Sequence, residues 1–121
     1  MINKQKVYVA GPYTKGNMIN NINTAISIGD YLLSLGFIPF IPHLTGFWDL
    51  IYSHDYEIWM EYDLEWLKEC DAVFRTSGES AGADREIEIA LYLGIPVFYQ
   101  DDHRDNVRGI DRLLEFFMEK E

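Results

Sequence analysis

The chain has 121 residues, 48% of them apolar, enough for one domain with one shared core and too few for two. Its formal net charge of -10 argues against DNA, RNA or an anionic membrane as a partner, because an acidic surface repels polyphosphate. A single small anion stays possible where local amides and one or two cations outweigh the distant field.

The N-terminal Met-Ile-Asn-Lys-Gln-Lys-Val has no apolar leader core, and no apolar run reaches the roughly 20 residues that span a bilayer. Val7-Tyr8-Val9-Ala10 then reads as a short buried strand, ended by a Gly11-Pro12 turn. From Asn17 the pattern turns helical, with Ile19, Ile22, Ile26, Gly29 and Leu33 at three- and four-residue steps and Gly36 as the stop. Phe37 to Ile41 is a second strand. Its Pro39 removes a ladder donor and predicts an edge or bulged position.

Pro42 to Ser53 reads as an aromatic-rich loop. A helix capped near Asp55 runs to Glu69, with Trp59, Tyr62 and Trp66 on one stripe. Ala72-Val73-Phe74 is a strand, Thr76 to Gly82 a small polar loop, and Ala83 to Leu93 a helix stopped by Gly94. A single cysteine, Cys70, lies between these elements; it excludes an internal disulfide and suits a reducing cytoplasm. Pro96 to Tyr99 is the last strand, and after polar Gln100 to Asp105 a final helix carries Ile110, Leu113, Leu114, Phe117 and Met118. Strands alternating with helices over short links predict an α/β fold, a parallel sheet of four to five strands with helices on both faces, as one domain over 1–121. The loops after the strands, Gly11 to Gly16, Pro42 to Ser53 and Thr76 to Gly82, should meet along one sheet edge, where such folds bind ligands.

Ser80-Ala81-Gly82-Ala83-Asp84-Arg85-Glu86-Ile87 places small residues at a helix start, where free amides face a ligand. Glu86 stands one turn in, where the helix dipole favours its ionised form, the form a covalent glycosyl transfer requires. The alternative is that Asp84 and Glu86 merely complement the dipole on a solvated face. Asp63 interrupts an apolar stripe of Trp59, Trp66 and Leu67, so it is either a functional acid beside aromatics or an edge residue reaching solvent. Tyr13 lies just past the first strand, at the ligand edge or covering the sheet end. His43 is a loop acid or base, or structural. His43, His54 and His103 lack metal-ligand spacing, and neither a dinucleotide fingerprint nor a phosphate-binding lysine loop is present.

Taken in order, Tyr8-Val9-Ala10-Gly11-Pro12-Tyr13, then Asp63-Leu64-Glu65-Trp66-Leu67 with Cys70-Asp71-Ala72-Val73, then Ser80-x-Gly82-x3-Glu86-Ile87 with Gly94-Ile95-Pro96-Val97, resemble the nucleoside 2-deoxyribosyltransferase superfamily, which includes 2'-deoxynucleoside 5'-monophosphate N-glycosidases. The resemblance spans residues 7 to 98. It implies a Rossmann-like (flavodoxin-like) domain that cleaves the N-glycosidic bond of a nucleoside or its 5'-monophosphate. Glu86 would be the nucleophile, with Asp63 assisting at base or sugar and Tyr13 at the sugar. Gly11, Pro12, Lys15, His43, Ser80 and Gly82 complete the expected substrate-binding set, Ser80 by likeness to a phosphate-pocket serine. No cofactor or metal is implied, and a homodimer or larger oligomer is, with a neighbouring subunit completing the site. The alternatives are base exchange by a deoxyribosyltransferase, and a nucleotide-binding sensor without turnover. The last is motivated by Glu88, which stands where the family has glycine; helix geometry should turn it away from Glu86. The Tyr13 to Asn17 loop also departs from the Gly/Arg-rich form of the monophosphate hydrolases.

Overall fold

The structure, a computed structural model, describes residues 5–118; Met1 to Lys4 and residues 119–121 of the expected domain lie outside them. Four strands, β1 (Lys6–Ala10), β2 (Ile38–Phe40), β3 (Ala72–Arg75) and β4 (Val97–Tyr99), pair in parallel in the order β2-β1-β3-β4. Five α-helices connect or cover them: α1 (Met18–Ser34), α2 (Thr45–Ile51), α3 (Tyr56–Leu67), α4 (Ala81–Tyr92) and α5 (Gly109–Met118). The chain is therefore a single α/β domain with a parallel sheet, at the lower of the expected strand counts.

Side-chain alternation along β1 divides the core. Val7 and Val9 face one way and join Ala25 and Leu32 of α1 with Leu113 and Phe117 of α5. Tyr8 and Ala10 face the other way and join Leu67 of α3 with Ala83, Ile87 and Ala90 of α4. With helices on both faces, the central strands read as nearly unbroken apolar runs. Pro39 lies on β2 at the sheet edge, opposite Val7, as its missing donor requires.

Three local readings need correction. In α1 the face against the sheet is Ala25, Gly29 and Leu32, whereas Ile19 and Leu33 of the expected stripe are exposed. The sheet selects the smaller residues because the helix approaches closely: a Cβ on Gly29 would sit 2.5 Å from Ile41 Cδ1. The expected Pro42 to Ser53 loop holds a 3-10 turn (Pro42–Leu44) and then α2. That helix buries none of its own residues, so no core periodicity marked it; its Trp48 packs edge-on against Trp59 and Tyr62 instead. Helix α4 starts two residues early, because Ser80 accepts a hydrogen bond from the Ala83 amide and caps it.

Among the described residues no helix is long and apolar enough to cross a membrane. The α5 face closes the α1 side of the core through Leu113, which is fully buried. Leu113→Ala is expected to cost about 2–4 kcal/mol, read as a lowered urea midpoint at unchanged slope.

Candidate active site

At the carboxyl ends of β1 and β3, where strand order reverses, a cavity of about 590 Å³ opens on the α3/α4 face. Its walls come from the three post-strand segments and from two helices. The loop after β1 supplies Gly11, Tyr13, Thr14 and Lys15, and the segment after β2 supplies His43, Gly46 and Asp49. The β3–α4 link adds Ser80 and Gly82, α3 adds Trp59 and Asp63, and α4 adds Glu86.

Glu86 owes its place to helix geometry. Ala83, Glu86, Ile87 and Ala90 form the buried stripe of α4, so this carboxylate occupies a core position against the sheet. It is only 6% exposed, which overturns the solvated-face alternative for Glu86, while Asp84 is exposed and pairs with Arg75 at 3.1 Å. Directly beneath, the Tyr8 hydroxyl donates a short hydrogen bond to Glu86 Oε2. Burial pushes the Glu86 carboxyl up to about 7, against the opposing pull of the Tyr8 hydroxyl and the Arg75 charge. The dipole was expected to favour the ionised form; desolvation outweighs it. Tyr8 in turn is raised well above the usual phenol value by burial and then by Glu86.

Asp63 reaches the same space from α3. Burial, then the charge of Glu86, pushes it up to about 8, and its buried Oδ1 has no hydrogen-bond partner among the described residues. Both carboxyls are thus pushed toward the neutral form, each by burial first, and Asp63 further by the charge of Glu86.

The remaining expected residues divide. His43 is buried, its Nε2 donating to the Pro12 carbonyl at 2.9 Å. Burial lowers its pKa against the pull of the Pro12 and Gly11 carbonyls, and its buried Nδ1 is without a partner among the described residues. Tyr13 stands edge-on to His43, its hydroxyl over Gly46, where a Cβ would lie 2.0 Å away. Lys15 is exposed and faces Glu79 at 3.7 Å, and the Ser80 oxygen is engaged as the α4 cap. Gly82 lines the cavity below Tyr56, whose hydroxyl a Cβ would meet at 2.9 Å. Pro12 does not line the cavity; it is buried, and its ring packs beneath Gly78. Glu88 is exposed and does not line the cavity, turned away from Glu86 as its place on the helix predicts.

Sequence reading missed two site residues, Tyr8 and Asp49. Tyr8 had been seen only as part of the strand, although a hydroxyl in the middle of a buried strand demands a partner. Asp49 accepts from the His54 amide at 2.8 Å and from Trp59 Nε1 at 2.6 Å, bonds that hold its carboxyl below the usual range. Both Asp49 and the fixed Trp59 ring line the cavity; Trp59 reads from the sequence as an aromatic beside Asp63, whereas Asp49 is not legible while α2 reads as a loop. Among the described residues no three His, Cys, Asp or Glu side chains are grouped to hold a metal ion.

Residues 5–100 match the model of the family described as Domain of unknown function (DUF7768). The chain belongs to that family. No curated protein matches it in sequence. Solved structures do match in fold. One is a 2-deoxyribosyltransferase from Bacillus psychrosaccharolyticus, 24% identical, with a TM-score of 0.60 over 78% of this chain and 70% of that one. Another is a 2-desoxiribosyltransferase from Leishmania mexicana, 19% identical, with a TM-score of 0.57 over 80% of this chain and 65% of that one, just under two thirds of its length. A conserved protein from Enterococcus faecalis V583 is 18% identical, with a TM-score of 0.63 over 98% of this chain and 76% of that one. At these identities the likeness is one of fold: this DUF7768 member has the fold of 2-deoxyribosyltransferases.

The raised Glu86 pKa has a consequence for stability. Its ordinary value is 4.5 and its folded value about 7, so the folded chain holds a proton the unfolded chain releases earlier. Its favourable contribution is full below pH 4.5 and is lost as pH rises through 7. Glu86→Gln, which keeps an acceptor for Tyr8, is expected to stabilise the fold by about 1–3 kcal/mol at pH 8, with the gain shrinking toward pH 5. Thermal melts at the two pH values check this; an equal gain at both would contradict it.

Proposed function

We propose that this DUF7768 member cleaves the N-glycosidic bond of a nucleoside through a covalent glycosyl-Glu86 intermediate. The observation that carries the reading is the pairing, in one cavity, of a buried carboxylate held by Tyr8 with a second, more basic carboxyl on Asp63. Tyr8 engages Oε2, leaving the other Glu86 oxygen to attack C1'. As the C1'–N bond breaks, its electron pair passes to the base nitrogen and protonated Asp63 supplies the proton. Water then attacks C1' of the ester, Asp63 takes the water's proton, and free sugar leaves with Glu86 restored. The charges favour a nucleoside over its 5'-monophosphate: among the described residues the lining carries four acids, two of them pushed toward the neutral form, and a single ammonium, on Lys15, that already faces Glu79.

A second reading has support from the fold. Two of the matching structures are named as 2-deoxyribosyltransferases, and in that reading a second base, not water, resolves the intermediate. An apolar face beside the site supports the expected self-association: Leu44, Phe47, Leu50 and Ile51 are all more than half exposed.

The test is a panel of ribo- and deoxyribonucleosides and their monophosphates, with and without acceptor base, scored by chromatography of released or exchanged base. Glu86→Gln is expected to lower turnover by about 10³-fold or more and Tyr8→Phe by about 10- to 100-fold. With a neutral base, kcat/KM should rise as pH climbs through about 7, where Glu86 ionises, and fall above about 8, where Asp63 loses its proton. Full activity in Glu86→Gln would eliminate the mechanism.

A further inference from the structure

The carboxylates of the cavity are not matched by cations. Asp49, Asp63, Glu79 and Glu86 line it, and the one lining ammonium among the described residues, Lys15, stands against Glu79. Neighbouring guanidiniums are engaged elsewhere: Arg75 with Asp84 and the Thr76 carbonyl, Arg85 with Glu57. Burial disfavours the charged form of His43. Among the described residues Asp49, Asp63 and Glu86 therefore form no ion pair, although the Arg75 charge acts on Glu86 from a distance. Asp49 is fixed by two donors, Glu86 is buried under Tyr8, and Asp63 keeps a buried oxygen with no partner.

A substrate entering this space displaces water from Asp63 and Glu86. An uncharged ligand deepens their desolvation and shifts both toward the neutral form, which lowers the fraction of Glu86 available as nucleophile. A cation reverses that effect, because it favours both carboxylates as anions. The aromatic surface suits the same ligand. Trp59, held through Nε1 by Asp49, and Tyr56 present rings at the cavity, and aromatic faces attract cations.

We propose that the site selects nucleosides whose base carries a fixed positive charge, such as N-glycosyl pyridinium or N-alkylated purinium compounds; this rests on the N-glycosidic reading above. The chemistry is simpler for them. The Glu86 carboxylate forms its bond to C1', the C1'–N bond breaks, and the electron pair cancels the ring charge, so the base leaves neutral and needs no proton. Water then opens the ester and gives its proton to the Asp63 carboxylate.

Two measurements test this. The first is binding, followed by tryptophan fluorescence at low ionic strength, of 1-methylnicotinamide, a fixed cation, against neutral nicotinamide. The cation is expected to bind at least tenfold more tightly, and Asp49→Asn, which keeps an acceptor for Trp59 and His54, should reduce that preference severalfold. Equal binding overturns the proposal. The second is turnover of the ribosides and 2-deoxyribosides of nicotinamide and of hypoxanthine, each divided by its spontaneous rate. Asp63→Asn should depress the hypoxanthine substrates at least tenfold more than the nicotinamide ones. Release of hypoxanthine with no preference for cations would overturn this inference and leave the N-glycosidic reading standing. Tight cation binding with no release of any base would instead overturn that reading.

Discussion

A hydrogen bond between a tyrosine on a central strand and a glutamate on the helix above it sets the terms for the site. Tyr8 has β2 on one side and β3 on the other, so its ring cannot turn to the opposite face without breaking two ladders. Glu86 is fixed by the α4 stripe it shares with Ala83, Ile87 and Ala90. A carboxylate in that position costs several kcal/mol unless something answers it. The Tyr8 hydroxyl and the Arg75 charge offset part of the cost, and the remainder appears as a pKa near neutrality. Burial raises Asp63 as well, and the charge of Glu86 adds to that rise. One bond thus links strand register, helix phase and the protonation of two acids.

The α2 and α3 side of the cavity depends on a series of aromatic contacts that starts outside the core and ends on it at Tyr8. Rings follow one another from Trp48 through Trp59, Tyr62 and Trp66 to Phe40 and finally Tyr8, with centroid separations of 5.1 to 6.5 Å. This chain ties α2 and α3 to β1. It explains how α2 holds its place while burying none of its residues: Trp48 leans on α3, and Asp49 accepts from Trp59. It also explains Gly46, since any side chain there would collide with the Tyr13 hydroxyl that α2 brings alongside. Placing Asp49 and Trp59 in the cavity is therefore a consequence of packing outside the core.

What the sequence made legible follows the same division. Elements that bury a periodic face were readable: the β1 run, the Gly36 and Gly94 helix stops, and the proline that sent β2 to the edge. Glu86 was readable as a candidate, and its place between Ala83, Ile87 and Ala90 already contained the burial that a dipole argument overlooked. Elements held by side-chain contacts alone were not readable. Helix α2 has no apolar period, so Asp49 reads as part of a loop, and in α1 the bulky Ile19 and Leu33 outweigh Ala25 on any hydropathy count, although Gly29 reads correctly on the buried face. Tyr8 was hidden by its neighbours, since among valines its hydroxyl looks incidental.

The charge pattern adds a last constraint. A chain of net charge -10 has few cations to spend, and among residues 16 to 67 it has none, although this span supplies α2, α3 and much of the cavity wall. Beyond that span, Arg75 and Arg85 are held by Asp84 and Glu57 on the outer side of α4 and α3. The one lining ammonium, on Lys15, sits at the exposed rim. A phosphate group would meet the repulsion of the whole surface on approach and of Asp49 and the ionised share of Glu86 on arrival, with Lys15 and the α4 amides in its favour. Uncharged sugar groups meet no such barrier. On the proposed reading, discrimination against phosphorylated substrates needs no dedicated steric gate, because the carboxylates placed for catalysis also provide it.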